Sequence, residues 1–467
     1  MDGAVLCGGP GGTAPGGLGR LDGLDWAVAT DGELAAPVAP VSPSAPFGSG
    51  HFHHWADDVR RIVGAGPATR RLVLGWGRLQ PDGPGTWDRA ALDRCDRALD
   101  TMAAAGVLPA VALMYRELPA WLEEGGGWLS RDTASRFADY ADAMGRRFGD
   151  RVARWVTLSD VAASSLADRV AGLFAPGRAR GAAGLPAVHH VLLAHGLAMR
   201  ALRAAGVRGR AGLIGSLVGA YTASTDPWDR IALERLESWS IRLFLDPLLL
   251  GEHMVLETGR SPVVDSGCVR TGDMKVISTP QDALGLSWHA PMCVAAPENV
   301  SRVLSPSPRF HALNEVNRLL ARLGFAVVPL TGVETTSYGW PVVPEGPADA
   351  LAMLHELYGD ALPPVYITDR GLDDHHKAAG LVRPDRDRCR SALASKLAWL
   401  ARIMNSDGVD VVGYEYWSVL DDVASKLPYC RLYASAVGDG ESAQDADAPP
   451  PMIPCDWVRS GVFGNAS

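Results

Sequence analysis

Short apolar runs alternate with longer amphipathic stretches along most of the chain. Eight of the runs read as strands: Leu24–Thr30, Arg71–Trp76, Leu108–Leu113, Arg154–Asp160, Ala211–Ser216, Ala283–Trp288, Pro364–Asp369 and Val409–Trp417. Between them, apolar residues recur at helical spacing. Ala90–Ala105 carries Ala91, Leu92, Cys95, Ala98, Leu99 and Met102 on one face, and Thr133–Phe148, Ala187–Ala205 and Arg390–Met404 follow suit. Strands that alternate with helices imply parallel pairing and right-handed crossovers. Eight such units predict an α/β fold, a single (β/α)8 TIM barrel, over an open doubly wound sheet. No GxGxxG or P-loop follows the first strand, which weakens the dinucleotide-binding alternative. The connections at 217–282 and 289–363 exceed what one helix needs, so long inserts after strands 5 and 6 are expected to line the barrel mouth. Residues 1–20 read as a disordered Gly-rich N-terminus, 21–436 as the barrel, and 437–467 as a C-terminal extension packed on or near it.

Composition narrows the class. With 467 residues, 47% apolar and 21% charged, the chain can fill a large core. The balance of 44 basic against 53 acidic residues, net −9, argues against a nucleic-acid partner, which would need clustered Lys and Arg. No apolar run reaches the ~18–20 residues of a membrane span, and the N-terminus lacks the basic and apolar regions of a secretory signal. Seven scattered cysteines with no CxxC suggest free thiols, not a disulfide framework or a zinc site. The expectation is a cytoplasmic protein with no metal, no cofactor and no membrane or nucleic-acid partner. It would act on a small-molecule substrate, and a homodimer stays open.

Polar residues at the C-terminal ends of barrel strands face the catalytic mouth. That rule selects Arg71, Trp76 and Arg78 on strand 2, Tyr115, Arg116 and Glu117 on strand 3, and Ser159 and Asp160 on strand 4. It adds Ser287, Trp288 and His289 on strand 6, Asp369 and Arg370 on strand 7, and Glu415, Trp417, Asp421 and Asp422 on strand 8. Strands 4 and 7 lie across the barrel from each other. An opposed pair of carboxylates suits acid/base cleavage of an acetal: one protonates the leaving oxygen, the other attacks or activates water.

At these residues the chain resembles glycoside hydrolase family 1, the β-glucosidase family. LPAWLEEGGGWLSRDTASRFADYADAMGRRFGDRVARWVTLSD (118–160) is similar to the family segment LPxWLxxxGGWxxRxxxxxFxxYAxxxxxxFGDRVxxWxTxNE. Further matches are Phe174–Gly177, His189–Arg203, Arg242–His253, Ser337–Gly346, Pro363–Gly371 and Asp407–Asp422, so the resemblance spans Leu24 to Tyr429. It implies the barrel, and it implies that Asp160 and Asp369 stand at the acid/base and nucleophile positions, where the family has glutamates. It also implies that Arg71 sits beside Asp369 and holds it ionised. Shortening both acids, each by up to ~1.5 Å, would widen a ~5–5.5 Å carboxyl gap to ~7–8 Å, which favours water activation over covalent attack. The family's sugar-binding positions fall on Leu34, Tyr115-Arg116, Ser159, Ser287-Trp288-His289 and Ala424-Ser425. Few of these match the family's residues, and unmade hydroxyl contacts cost heavily in discrimination.

Asp160, Asp369, Arg71 and His289 are therefore the catalytic candidates. Tyr115, Arg116, Ser159, Ser287, Trp288, Arg370 and Trp417 are the substrate-binding ones. Trp76, Trp288 and Trp417 are read as flat apolar walls. The expected activity is hydrolysis of an atypical substrate, a specialised-metabolite glycoside, acetal or epoxide and not a common hexoside. Two alternatives stay open: a non-hydrolytic cyclase or dehydratase, and a catalytically silent barrel that binds a small molecule or a protein. His51, His53 and His54 match the family's first helix and are not read as a metal site. His189-His190 and His375-His376 are read as surface pairs. Cys293 and Cys430 are placed near the mouth without a nucleophile's His-Asp frame.

Overall fold

The computed structural model describes residues 24–33, 69–115, 118–161, 165, 180–300, 317–335, 341–369, 375–378, 381–384, 386–406 and 408–417. Eight parallel strands close a barrel: β1 (Asp25–Glu33), β2 (Thr69–Val73), β3 (Leu108–Tyr115), β4 (Arg154–Ser159), β5 (Arg210–Leu217), β6 (Leu284–Trp288), β7 (Val365–Asp369) and β8 (Val411–Trp417). Closure runs through β8 onto β1, with Ala27 opposite Glu415, and through β1 onto β2, with Ala29 opposite Arg71. This is the (β/α)8 barrel that the alternating pattern predicts. Each of the eight predicted strands is present, with ends moved by up to three residues. The exception in kind is Trp76, which opens a short helix (Trp76–Leu79) in place of ending β2.

The strands are apolar because both faces are covered. Leu72, Val111, Trp155, Leu213, Leu286 and Ile367 point into the shell between barrel and helices. Val73, Ala112, Val156 and Ile214 form a separate apolar layer inside the lumen, with Tyr115 packed on it. The shell is built by α1 (Arg89–Ala104), α2 (Asp132–Phe148), α3 (Leu185–Ala204), α4 (Pro227–Glu237), α5 (Asp273–Ile277), α6 (Gly346–Tyr358) and α7 (Arg386–Ser406). Asp88 caps α1 by accepting from the Ala91 N–H at 2.9 Å. The same helix ends at Gly106, φ +72°, where the Val107 N–H reaches back to Met102 O, a turn that needs the left-handed conformation glycine adopts freely. Trp76 lies in this shell, stacked on Tyr140 at 5.1 Å, so it is a core residue and not a wall of the mouth.

The two long inserts are folded. Ala220–Thr222, Met292–Ala295 and Ala326–Val328 join as a three-stranded sheet beyond the ends of β5 and β6. Cys293 is buried within it. The first insert is clamped to the barrel's outer shell at Asp273. Its carboxylate accepts from Arg131 Nη1 at 2.8 Å, from the Arg270 backbone N–H at 2.8 Å, and bonds His189 Nε2 at 2.8 Å. Burial acts to raise this carboxyl, but the hydrogen bonds from Arg131, His189 and the Arg270 amide outweigh it and hold the group well below the usual carboxylate range.

His189 and His190 are thus not surface residues; both are buried on α3. Residues 181–204 are long and apolar enough to cross a bilayer, but most of their surface is buried against neighbouring elements of this fold. The segments 1–20 and 437–467, His51, His53 and His54, and Cys430 lie outside the described residues. His375-His376 occupy the strand His375–Ala378 of a small hairpin.

Buried histidines give the fold an acid limit. Burial lowers His190 to about 4 and His195 to about 3, so both are neutral when folded. Thr157 Oγ1 donates to Gly212 O at 3.2 Å, so His195 Nδ1, 2.8 Å away, is the donor to Thr157. The unfolded chain takes up protons at these sites below about pH 6.5. The stability they contribute is therefore complete above pH 6.5 and falls as pH drops toward 4. Thermal melts from pH 7.5 to 4.5 should show a declining midpoint, with a shallower decline in His190→Gln.

Candidate functional site

Alternation along each strand decides which polar groups meet in the lumen. On β7, Tyr366 and Thr368 point inward while Val365 and Ile367 enter the shell. On β6, Leu284, Leu286 and Trp288 face the shell, which leaves Ser287 inward. On β4 the register slips between Val156 and Ser159, and the slip returns Ser159 to the lumen.

A buried ionic layer crosses the lumen below the mouth. Arg71 (2% exposed) donates through Nε to Glu415 Oε1 at 2.6 Å, and Arg154 donates through Nη2 to Glu415 Oε2. Thr368 Oγ1 stands 3.4 Å from Glu415 Oε1, and Arg71 Nη1 reaches Ser159 Oγ at 3.4 Å. Among the described residues, the carboxylate that Arg71 pairs is Glu415. This corrects the expectation that Arg71 sits on Asp369. The reason is geometric: Glu415 faces inward on β8, level with Thr368, whereas Asp369 is one residue further along β7 and on its other face.

Asp369 is 1% exposed, and both its oxygens accept from Lys396 Nζ at 2.9 Å. Oδ2 also accepts from Tyr414 Oη. Lys396 belongs to α7, outside the barrel, and Tyr414 packs in the shell. The Asp369 carboxylate is therefore turned toward the last helix, not across the mouth toward Asp160. Trp288 pairs with Asp369 in register and is likewise shell-facing, 1% exposed. A Cβ added at Gly219 or Gly346 would lie 2.7 or 2.6 Å from its ring, so Trp288 fills a slot between two glycines and does not line the mouth.

Asp160 stands at the mouth. It is half-buried, follows β4 directly, and its N–H donates to Ile214 O at 3.0 Å. Its φ is +59°, which makes it the non-glycine residue with a left-handed backbone among the described residues. Aspartate tolerates this conformation better than most, and such outliers concentrate at functional sites. Tyr115 is half-buried above the lumen's apolar layer, and Ser159 and Ser287 are buried beneath the opening. His289 is exposed, with Nε2 3.4 Å from Ser287 Oγ. Tyr115, Ser159, Asp160, Ser287 and His289 thus gather at one end of the barrel. Trp417 lies on β8, and Arg116, Arg370, Asp421 and Asp422 fall outside the described residues. No group of three or more metal-ligating residues occurs among the described residues.

The residues that sequence reasoning missed are partners. Lys396 shares the stripe of Leu393, Leu397, Leu400 and Met404 on α7, and a lysine on an apolar stripe is a legible sign of a buried counter-ion. Arg154 opens β4, and the strand pattern assigns it no role.

Comparison with known proteins gives the fold a family context. The family pattern described as "Glycosyl hydrolase family 1" matches residues 42–436. Thermostable beta-glucosidase B of Thermobispora bispora is 36% identical over 383 residues, covering 80% of this chain and 72% of that one. A bifunctional beta-D-glucosidase/beta-D-fucosidase of Bifidobacterium breve is 29% identical, covering 84% of each. Among solved structures, the beta-glucosidase of Thermotoga maritima in complex with deoxynojirimycin superposes with a TM-score of 0.69 at 26% identity, over 85% of this chain and 88% of that one.

The Lys396–Asp369 pair should behave as a buried ion pair. Lys396→Met strands a buried carboxylate and should cost about 3–5 kcal/mol in denaturant unfolding. Adding Asp369→Leu to it should recover a large part of that loss. Equal losses in the single and double variants would contradict the pairing.

Proposed function

Because the chain belongs to glycosyl hydrolase family 1, we propose that it hydrolyses a glycosidic or related acetal bond, on a substrate other than a common hexoside, with Asp160 as proton donor. The observation that carries this reading is Asp160 itself: a half-exposed acid on a left-handed turn at the C-terminal end of a barrel strand. Its proton passes to the leaving oxygen as the acetal bond breaks, and water supplies the hydroxyl to the carbon.

Asp369 is the second carboxylate of this reading, at the position where the family resemblance puts the nucleophile or water-activating group. It can reach a substrate only by turning away from Lys396. An atypical substrate is supported by the sequence: few of the family's sugar-binding positions keep the family's residues, which leaves few fixed partners for a fully hydroxylated pyranose. A specialised-metabolite glycoside or an epoxide fits that sparse polarity better.

The two hydrogen bonds that Lys396 Nζ donates to Asp369 favour a second reading, in which the barrel binds a small molecule without turning it over.

Initial rates on a panel of aryl β-glycosides and aryl epoxides separate the two readings. Hydrolysis of at least one substrate is expected, with Asp160→Asn slowed by about 10²–10⁴-fold and Asp369→Asn also impaired. Wild-type rates in Asp160→Asn would overturn its role as proton donor. Silence across the whole panel, with saturable binding of one of its members, would favour the second reading.

A further inference from the structure

Of the two carboxylates that the proposed hydrolysis invokes, the structure presents one at the mouth. Asp160 follows β4 at the opening and is half-buried. Asp369 is 1% exposed, and both its oxygens accept from Lys396 Nζ. Held there, it takes no proton from a water in the lumen. The attacking water needs another acceptor.

His289 is placed to be that acceptor. It follows β6 directly and is exposed. It stands two positions after the lumenal Ser287, so strand alternation brings it back to the same side. Its Nε2 lies 3.4 Å from Ser287 Oγ, a contact that steadies the ring.

Register sets its height. Ser159 pairs with Ile214 on β5, and Ile214 pairs with Gly285 on β6. Around a closed ring of eight tilted strands, equal height advances by about one residue per strand. Ser287 is therefore level with Ser159, and both are buried beneath the opening. Asp160 and His289 follow them onto the same rim. β5 alone separates β4 from β6, which sets their ends about 10 Å apart at ~4.8 Å per strand. Side chains that reach part of the way across leave room for a water. The span suits the ~6.5–9.5 Å between a proton donor and a base that activates water.

The chemistry fits as well. Imidazole changes charge between about pH 5 and 8, so its neutral form accepts a proton under ordinary conditions.

We propose that His289 is the general base of this site, in place of Asp369. The inference rests on the reading of Asp160 as proton donor. Water gives a proton to the neutral imidazole as its oxygen bonds the acetal carbon. The bond from that carbon to the leaving oxygen breaks, and Asp160 protonates the leaving oxygen. The products together contain the elements of one water. The imidazolium then returns its proton to the Asp160 carboxylate through solvent. Attack is direct, so configuration at the carbon inverts. Asp369 stays with Lys396 and supports the fold.

The test is hydrolysis of aryl β-glycosides and aryl epoxides by the full chain, followed across pH and by proton NMR of the first-formed product. His289→Gln should lower kcat by about 10²–10⁴-fold with little change in KM. The wild type should lose rate in acid as the imidazole protonates, and this acidic limb should vanish in His289→Gln. Azide should restore rate to His289→Ala with inverted configuration in the azido product, because azide attacks without a proton to lose. Asp369→Asn should keep the acidic limb, any loss of rate coming from the broken pair with Lys396. Wild-type rates in His289→Gln would overturn the inference. So would retained configuration, or an acidic limb that persists in His289→Gln and disappears in Asp369→Asn. Each of those results leaves Asp160 standing as proton donor. Silence on every substrate removes the hydrolytic reading, and this inference with it.

Discussion

A carboxylate gripped by two guanidiniums, sealed inside a closed ring of strands, constrains everything else in this barrel. Glu415 has Arg71 on one oxygen and Arg154 on the other, and Thr368 stands beside the first. These groups come from β8, β2, β4 and β7, so the network spans the lumen and fixes four strands relative to one another. Removing such charges from water is expensive, and the arrangement survives only because each is met by an opposite charge in good geometry. An apolar layer of Val73, Ala112, Val156 and Ile214 shares the lumen, and Tyr115 packs on that layer. The mouth therefore rests on an ionic and apolar interior.

The interior also dictates which polar residues can serve chemistry. Strand side chains alternate with period two, so a one-residue difference moves a group from the mouth to the shell. Ser287 is lumenal and Trp288 is not; Thr368 is lumenal and Asp369 is not. Asp160 escapes the alternation because it follows the β4 register slip on a left-handed turn. One acid is thereby presented to solvent at the strand ends while the other is held by a lysine from the last helix.

The architecture was readable from sequence because parallel barrel strands are buried on both faces and stand out as short, nearly unbroken apolar runs. Arg154–Ser159 and Val365–Asp369 are examples, and the helix at Arg89–Ala104 announced itself by its apolar stripe and its terminal Gly106. The gathering of Tyr115, Ser159, Asp160, Ser287 and His289 at one end followed from the rule that strand C-termini form the mouth. Facing and pairing were not readable. Nothing local in Ile367-Thr368-Asp369 says that the acid meets Lys396, which lies 27 positions further along the chain. The Arg71–Glu415 bond joins residues 344 positions apart. His189 and His190 looked like surface polarity, but Asp273 and the Trp128 carbonyl satisfy them in the interior. Long-range partners are set by closure of the ring, which a one-dimensional pattern does not encode.

A double-mutant cycle on Arg71 and Glu415, read by denaturant unfolding, tests the central claim most directly. Arg71→Met and Glu415→Leu should each cost about 3–5 kcal/mol, and the double variant should fall short of their sum by more than about 1.5 kcal/mol. The same cycle between Arg71 and Asp369 should show a markedly smaller coupling. Additive losses for Arg71 and Glu415 to within about 0.5 kcal/mol, or a stronger coupling of Arg71 to Asp369, would contradict a lumen organised around Glu415.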